Sequence, residues 1–329
     1  MNHLDNMMPP LTVVIAQWQT LEPFLAALTI PADYRIAPTS RDEDVAPLLP
    51  GADALITARF SPALTEAADS LRLILTPGAG LNGIDFAAVP ERTSVCNVYG
   101  HERGIAEYVF TVMSMLNRDF PGLDRRLRKG DWRDYLGMPL PELQGKTVLI
   151  VGLGRIGREV ARWASFFSMR VLAATRRPDA VPAGDIERIV PIHQLRQVLP
   201  EADFVVLAAP LTPETRGMIG TAELAAMKPS AFLVNVARGE VVDETALYTA
   251  LQNRAIAGAA IDVWYRYPEN DQPILPASLP FHELPNIIMT PHIAGATQNT
   301  FAYRWAAIND NLRRLRDGEP LVNIVPRPR

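Results

Sequence analysis

One short stretch limits what this chain can fold into more than any other. Residues 147–157 read TVLIVGLGRIG, an apolar run followed by Gly152, Gly154 and Gly157 in the spacing G-x-G-x-x-G. An amphipathic pattern, REVARWASFF, comes directly after it. Alone, that spacing recurs by chance. Between a strand and a helix it has a physical meaning. The first glycine allows the tight turn, the second lets backbone approach a pyrophosphate, and the third lets helix and strand pack closely. The N–H groups of the first helical turn then face the phosphates. We therefore expect Gly152, Gly154, Arg155, Ile156 and Gly157 to hold a dinucleotide. The alternative is a strand-to-helix turn with no ligand.

The end of the next strand separates the two common dinucleotides. An Asp or Glu roughly 20 residues on would bond a ribose 2′-hydroxyl. This chain instead has Thr175-Arg176-Arg177 after RVLAA. Without a carboxylate, a 2′-phosphate is not repelled, and two guanidinium groups can grip it through charge-assisted bonds. The expectation is NADP(H), with NAD as the alternative if both arginines simply point into solvent.

The rest of the chain is a succession of apolar runs and helical patterns. LTVVIAQW (11–18), ALITA (54–58) and LRLILT (71–76) read as strands, with helices near 20–28 and from Pro62. A long apolar helix covers 103–118, closed by Asp119, Phe120, Pro121 and Gly122. From residue 147 a second series runs through RVLAAT (170–175), FVVLAAP (204–210), AFLVNVAR (231–238), GAAIDVW (258–264) and NIIMTPH (286–292), with a last helix near 297–317. Strands separated by helices imply parallel sheets with crossover connections. The 329 residues suit two domains rather than one core. The prolines of 268–285 suggest a rigid loop rather than disorder.

Composition excludes several classes. The net charge is −4, against the basic excess of a nucleic-acid binder. The cluster Arg125, Arg126, Arg128 and Lys129 reads as a solvated helix end beside Asp124 and Asp131. The single cysteine, Cys96 in VCNV, points to a buried core thiol and to no oxidising compartment. No signal peptide or membrane span is visible, so we expect a cytoplasmic protein with no membrane partner. We expect no metal site.

Taken together, TPGAGLNGID, IAEYVF, VGLGRIGREVA, AAPLTPETRGMI, LVNVARGEVVDETAL, GAAIDVW and TPHIAGAT resemble the D-isomer-specific 2-hydroxyacid dehydrogenase family (formate/glycerate dehydrogenase-like) over nearly the whole chain. The resemblance implies an α/β protein with a Rossmann-type cofactor domain plus a discontinuous flavodoxin-like substrate domain. The substrate domain would comprise 1–100 and 297–329, and the dinucleotide-binding domain 101–296. It also implies an active site in the cleft and a homodimer formed through the cofactor domain.

Carried over by motif, Arg238 of NVARGE is the substrate-binding arginine. A planar guanidinium can bond carboxylate and ketone oxygen together and stabilise charge developing on the latter. His292 of TPHIAG is the proton donor, an imidazole that titrates near neutrality. Asp262 of AIDVW contacts the nicotinamide carboxamide, with a strand-end cap as the bland alternative. Pro210 and Thr215 of AAPLTPETRGMI and Ala237 of NVARGE join the cofactor-binding set, beside Thr175, Arg176 and Arg177. Gly78, Ala79 and Gly80 offer backbone N–H groups to a substrate carboxylate. His101 contacts the substrate or, with Glu102, merely caps the following helix. Arg59 is a weaker candidate at the cleft mouth.

One position departs from the family. The glutamate that partners the catalytic histidine falls at Tyr267, in DVWYRYP. Tyrosine can orient the ring but supplies no charge near neutral pH, so His292 should have a lowered pKa. Glu102, Glu269 and Glu283 are the candidate acids to replace it. The reading is thus a reductase of a small 2-oxo acid, glyoxylate- or hydroxypyruvate-like, using NADPH. The alternatives are formate-type hydride donation in the same scaffold, or a non-enzymatic dinucleotide-sensing protein.

Overall fold

The computed structural model describes residues 10–16, 26–132, 139–180, 184, 186–268 and 272–327. The chain divides into two units, one made of 1–100 with 298–329 and the other of 101–297.

The first unit is built on strands β1 (Leu11–Ala16), β2 (Ala32–Ala37), β3 (Ala54–Ile56), β4 (Leu73–Thr76) and β5 (Ser94–Asn97). They pair in the order β2-β1-β3-β4-β5, all parallel. This is the flavodoxin-like order. A parallel sheet must be covered on both faces, because crossover connections place chain over each. Side chains alternate accordingly. Val14, Leu55, Ile74 and Val95 face one apolar cluster. Val13, Ile15, Ile56, Leu75 and Cys96 face another. The second cluster is closed by Trp305, Ile308 and Leu312 of the helix Gln298–Asp317. Cys96 is a free, fully buried thiol whose pKa burial pushes up to about 11.

The second unit carries β6 (Thr147–Val151), β7 (Arg170–Thr175), β8 (Arg188–Pro191), β9 (Phe204–Leu207), β10 (Phe232–Asn235), β11 (Gly258–Ile261) and β12 (Ile287–Met289). Their order is β12-β11-β10-β9-β6-β7-β8, again parallel throughout. The first six strands of this unit stand in Rossmann order, with β12 added beyond β11. One face is covered by the helices Glu102–Asn117 and Arg155–Phe166, through Ile105, Val109, Met113, Val160 and Ala164. Leu224, Leu247 and Leu251 belong to the cluster on the other face. The order of strands reverses between β6 and β9, and open α/β sheets bind ligands beyond the strand ends at such a point.

Several local expectations need correction. Residues 26–29 are not helical, and the rest of the expected 20–28 helix lies outside the described residues. The helix expected from Pro62 is a single 3-10 turn, Pro62–Leu64, held by Ser61 accepting from the Ala63 N–H. Strands β2, β5 and β8 were not anticipated. The long helix, Glu102–Asn117, does close before Asp119, as expected, but the closing residues also start another helix. Phe120–Leu127 is a second helix, with Asp119 as its cap and Pro121 in the first turn. Proline is tolerated there because that N–H would have no helical partner. Arg125 and Arg126 occupy its last turn and Arg128 pairs with Asp124, an exposed helix end.

Among the described residues, no helix is long and apolar enough to cross a membrane. No group of three or more His, Cys, Asp or Glu among them is placed to hold a metal ion.

Candidate active site

The glycine turn sits at the reversal point of the second sheet. Gly152 follows β6 with φ of +99°, a conformation that favours glycine, and a Cβ there would fall 2.5 Å from the Ala209 nitrogen beyond β9. A Cβ on Gly157 would fall 2.1 Å from the Gly152 carbonyl oxygen. Gly154 differs, since a Cβ there would meet nothing within 4 Å. It is the N-cap of the helix Arg155–Phe166, with no side chain capping the first turn, whose N–H groups have no partner within the helix. Two glycines are thus demanded by packing, while the third, exposed at the start of the helix, is not. A pyrophosphate fits that arrangement.

At the end of β7, Thr175 is half-buried while Arg176 and Arg177 are exposed. Neither arginine forms an ion pair among the described residues. Beyond β9, Thr215 is buried and its hydroxyl donates to the Pro210 carbonyl at 2.7 Å, which closes the loop 210–215.

The ends of β10, β11 and β12 bring the remaining residues together. Arg238 follows β10, half-buried, and its Nη1 donates to the Ala237 carbonyl at 2.6 Å. A Cβ on Gly239 would lie 2.4 Å from the Trp264 carbonyl oxygen, so the backbone after Arg238 runs against the backbone after β11. Tyr267 lies in that second segment, and its hydroxyl accepts from the Trp264 N–H at 3.2 Å. The same hydroxyl is 3.0 Å from His292 Nδ1. Burial raises the Tyr267 pKa, while the Trp264 N–H and the Arg238 charge pull it down. Arg238, Tyr267 and His292 therefore share one electrostatic neighbourhood.

The loop that carries His292 is fixed from beneath. His292 has φ of +58°, left-handed backbone that a non-glycine residue adopts at a cost. Its neighbours are held by Asp262, which is 1% exposed at the end of β11. Asp262 Oδ1 accepts from the Ile293 N–H at 2.9 Å and the Thr290 hydroxyl at 2.6 Å. Oδ2 accepts from the Ala294 N–H at 2.9 Å. Thr290 has one hydroxyl proton and gives it to Asp262. The Tyr108 hydroxyl, 2.7 Å from Thr290 Oγ1, is therefore the donor in that pair. Burial pushes the Tyr108 phenol up to about 12 and keeps it protonated. Trp264 Nε1 adds a bond to the Thr290 carbonyl at 2.9 Å.

Comparison with known proteins decides the family. Residues 110–294, more than half of the chain, match the model of the D-isomer specific 2-hydroxyacid dehydrogenase NAD-binding domain. The chain belongs to the D-isomer specific 2-hydroxyacid dehydrogenases. A glyoxylate reductase of Korarchaeum cryptofilum is 35% identical over 82% of this chain and 81% of its own. A glycerate dehydrogenase of Methylorubrum extorquens is 31% identical over 95% of this chain and 98% of its own. Among solved structures, the NADPH-dependent glyoxylate/hydroxypyruvate reductase of Sinorhizobium meliloti, in complex with NADP and malonate, superposes with a TM-score of 0.81. It is 25% identical and covers 98% of this chain and 99% of that one.

In this dehydrogenase the position opposite His292 Nδ1 is filled by Tyr267. Of the acids considered as substitutes, Glu283 pairs with His282 at 3.9 Å and Glu269 lies outside the described residues. Glu102 opens the helix Glu102–Asn117, preceded by His101. His101 is buried, and its Cβ would lie 3.4 Å from a Cβ on Gly295, so it packs beside the His292 loop. Gly78, Ala79 and Gly80 follow β4 in the first unit. There the Thr76 hydroxyl donates to the Gly78 carbonyl at 2.9 Å, and Asn97 Nδ2 to the Ala79 carbonyl at 3.2 Å. Arg59, after β3, pairs with Asp42 at 3.2 Å. Sequence reasoning missed Tyr108, Thr290 and Trp264. Tyr108 and Thr290 lie 182 residues apart, and nothing in either segment signals the partner.

Proposed function

We propose that this dehydrogenase reduces a small 2-oxo acid of the glyoxylate or hydroxypyruvate class to the D-2-hydroxy acid, with NADPH as hydride source. The observation that carries the reading is the convergence of Arg238, Tyr267 and His292 at the ends of β10–β12, in the unit that holds the Gly152–Gly157 turn. When bound, the nicotinamide supplies the hydride.

The protein's own groups do the rest. Arg238 binds the carboxylate and the ketone oxygen, fixing the acceptor carbon and stabilising charge that develops on that oxygen. His292 delivers the proton. Asp262 holds the His292 loop and is assigned the carboxamide contact as well. Gly78, Ala79, Gly80 and His101 are assigned to substrate binding. Gly152, Gly154, Arg155, Ile156 and Gly157 are assigned to the pyrophosphate, and Pro210, Thr215 and Ala237 line the cofactor site. NADPH preference rests on Thr175, Arg176 and Arg177, the two arginines being exposed at the end of β7, with the Arg176 charge also felt by Glu214, whose carboxyl it helps to hold below its usual range. The NADPH dependence of the Sinorhizobium meliloti relative supports the same choice.

We also assign the first unit to substrate and the second to cofactor, and expect a cytoplasmic homodimer formed through the second unit. Phe166, 85% exposed at the end of the helix Arg155–Phe166, supports that interface.

A panel of 2-oxo acids with NADPH and NADH tests the reading. The expected result is NADPH oxidation with glyoxylate or hydroxypyruvate, and a selective loss of NADPH affinity in Arg176→Ala. No turnover with any 2-oxo acid would overturn it, as would NADP+ reduction with formate alone or cofactor binding without turnover.

A further inference from the structure

We propose that Tyr267 is a proton relay behind His292, so that the neutral imidazole serves as the acid in reduction. The inference rests on the functional reading above and deepens it.

The argument starts from what a phenol can do that a carboxylate cannot. An ionised carboxylate against Nδ1 only accepts, so it forces a proton onto that nitrogen and favours the imidazolium. A phenol has a proton to give. Tyr267 Oη already accepts from the Trp264 N–H at 3.2 Å. The relay assigns the phenolic proton to His292 Nδ1, 3.0 Å away, in a pair whose direction the ring's tautomer sets. That pairing selects the neutral ring with its proton on Nε2, the nitrogen to which the functional reading gives the proton transfer.

The transfer then balances without a charged ring. As the ketone oxygen becomes an alkoxide, the Nε2–H bond breaks and an O–H bond forms on the substrate. The Tyr267 O–H bond breaks and an N–H bond forms at Nδ1. The imidazole stays neutral, its proton having moved from one nitrogen to the other, and the negative charge ends on the phenolate.

Arg238 faces Tyr267 and favours that charge, as does the Trp264 N–H, while Asp262 and Glu240 oppose it. An alkoxide is a stronger base than a phenolate, so the net transfer runs downhill even with the phenol above its ordinary 10.0. Tyr267 is 43% exposed, so water can reprotonate it before the next turnover.

The pH dependence has a definite sign. An imidazolium acid loses reduction as pH rises through its own pKa, ordinarily about 6.5. With the relay, reduction persists until Tyr267 itself ionises, and its raised pKa puts that limit above pH 10.0.

Two measurements test this. In cofactor-free protein labelled with 15N-histidine, the His292 signals are identified by their loss in His292→Gln. At about pH 8 they should show Nε2 protonated and Nδ1 bare, a bias that Tyr267→Phe removes. Protonation at Nδ1 at that pH overturns the relay. In glyoxylate reduction, kcat should stay level from about pH 7 to about pH 9. Tyr267→Phe should instead fall about tenfold per pH unit above about 6.5, with its Kd for NADPH unchanged. Parallel profiles for the two proteins overturn the relay. If neither protein reduces any 2-oxo acid, the functional reading fails and the tautomer of His292 alone decides the inference.

Discussion

At Asp262 one buried carboxylate takes three hydrogen bonds from a single loop, two from backbone N–H groups and one from the Thr290 hydroxyl. Those bonds fix the residues on either side of His292 while its backbone is held left-handed. Asparagine in this place keeps the shape but replaces one accepting oxygen with a donor. Asp262→Asn should therefore leave a buried N–H or hydroxyl without an acceptor and cost about 1–3 kcal/mol of stability. Urea denaturation at constant pH measures it, and an unchanged midpoint would remove the anchoring role. The pattern AIDVW marks the aspartate in the sequence, yet its partners are 28 to 32 residues away. A sequence shows that a carboxylate stands at a strand end. It does not show which loop that carboxylate will hold. Tyr267 is the opposite case, because its place relative to Asp262 already said what it faces.

At the scale of elements, the strands buried on both faces were readable as apolar runs, and the glycine turn was readable with them. Three of the four edge strands, β2, β5 and β8, were not, while β12 was. In β2, ADYRIA spans a half-exposed pattern with charges, since one long side of an edge strand has no neighbour. β8, RIVP, is an edge for the same reason and ends in proline. The helix Phe120–Leu127 was hidden because Pro121 and Gly122 also mark helix ends, and only the Asp119 cap distinguishes the two uses. The glycine turn itself allows a paired test. Gly157→Ala places a methyl 2.1 Å from the Gly152 carbonyl oxygen and should destabilise the second unit. Gly154→Ala meets nothing within 4 Å, so the fold should tolerate it while the Kd for the dinucleotide rises. Equal effects of both substitutions on Tm, or undiminished cofactor binding in Gly154→Ala, would remove the pyrophosphate from that space.

The whole molecule carries apolar surface that its own packing does not use. Phe166 is 85% exposed and meets Phe167 edge to face at 5.7 Å, and Phe167 stacks on Phe110 at 5.0 Å. An exposed phenylalanine of this kind is the type of side chain that anchors association sites. Phe166→Glu should convert the proposed dimer to monomers in sedimentation, with the circular dichroism of the fold unchanged. A monomer before the substitution would remove the proposed dimer, and a dimer after it would place the interface elsewhere.

The return of the chain to its first unit after residue 297 bears on how the protein is born. The face of the first sheet carrying Val13, Ile56 and Leu75 waits for Trp305, Ile308 and Leu312. A ribosome adds roughly 5–20 residues each second, so those early strands emerge roughly ten seconds or more before the helix that covers them. The second unit is continuous in sequence and has no such delay. A chain ending at residue 297, released from the ribosome, should therefore resist protease in the later-made unit and yield in the earlier one.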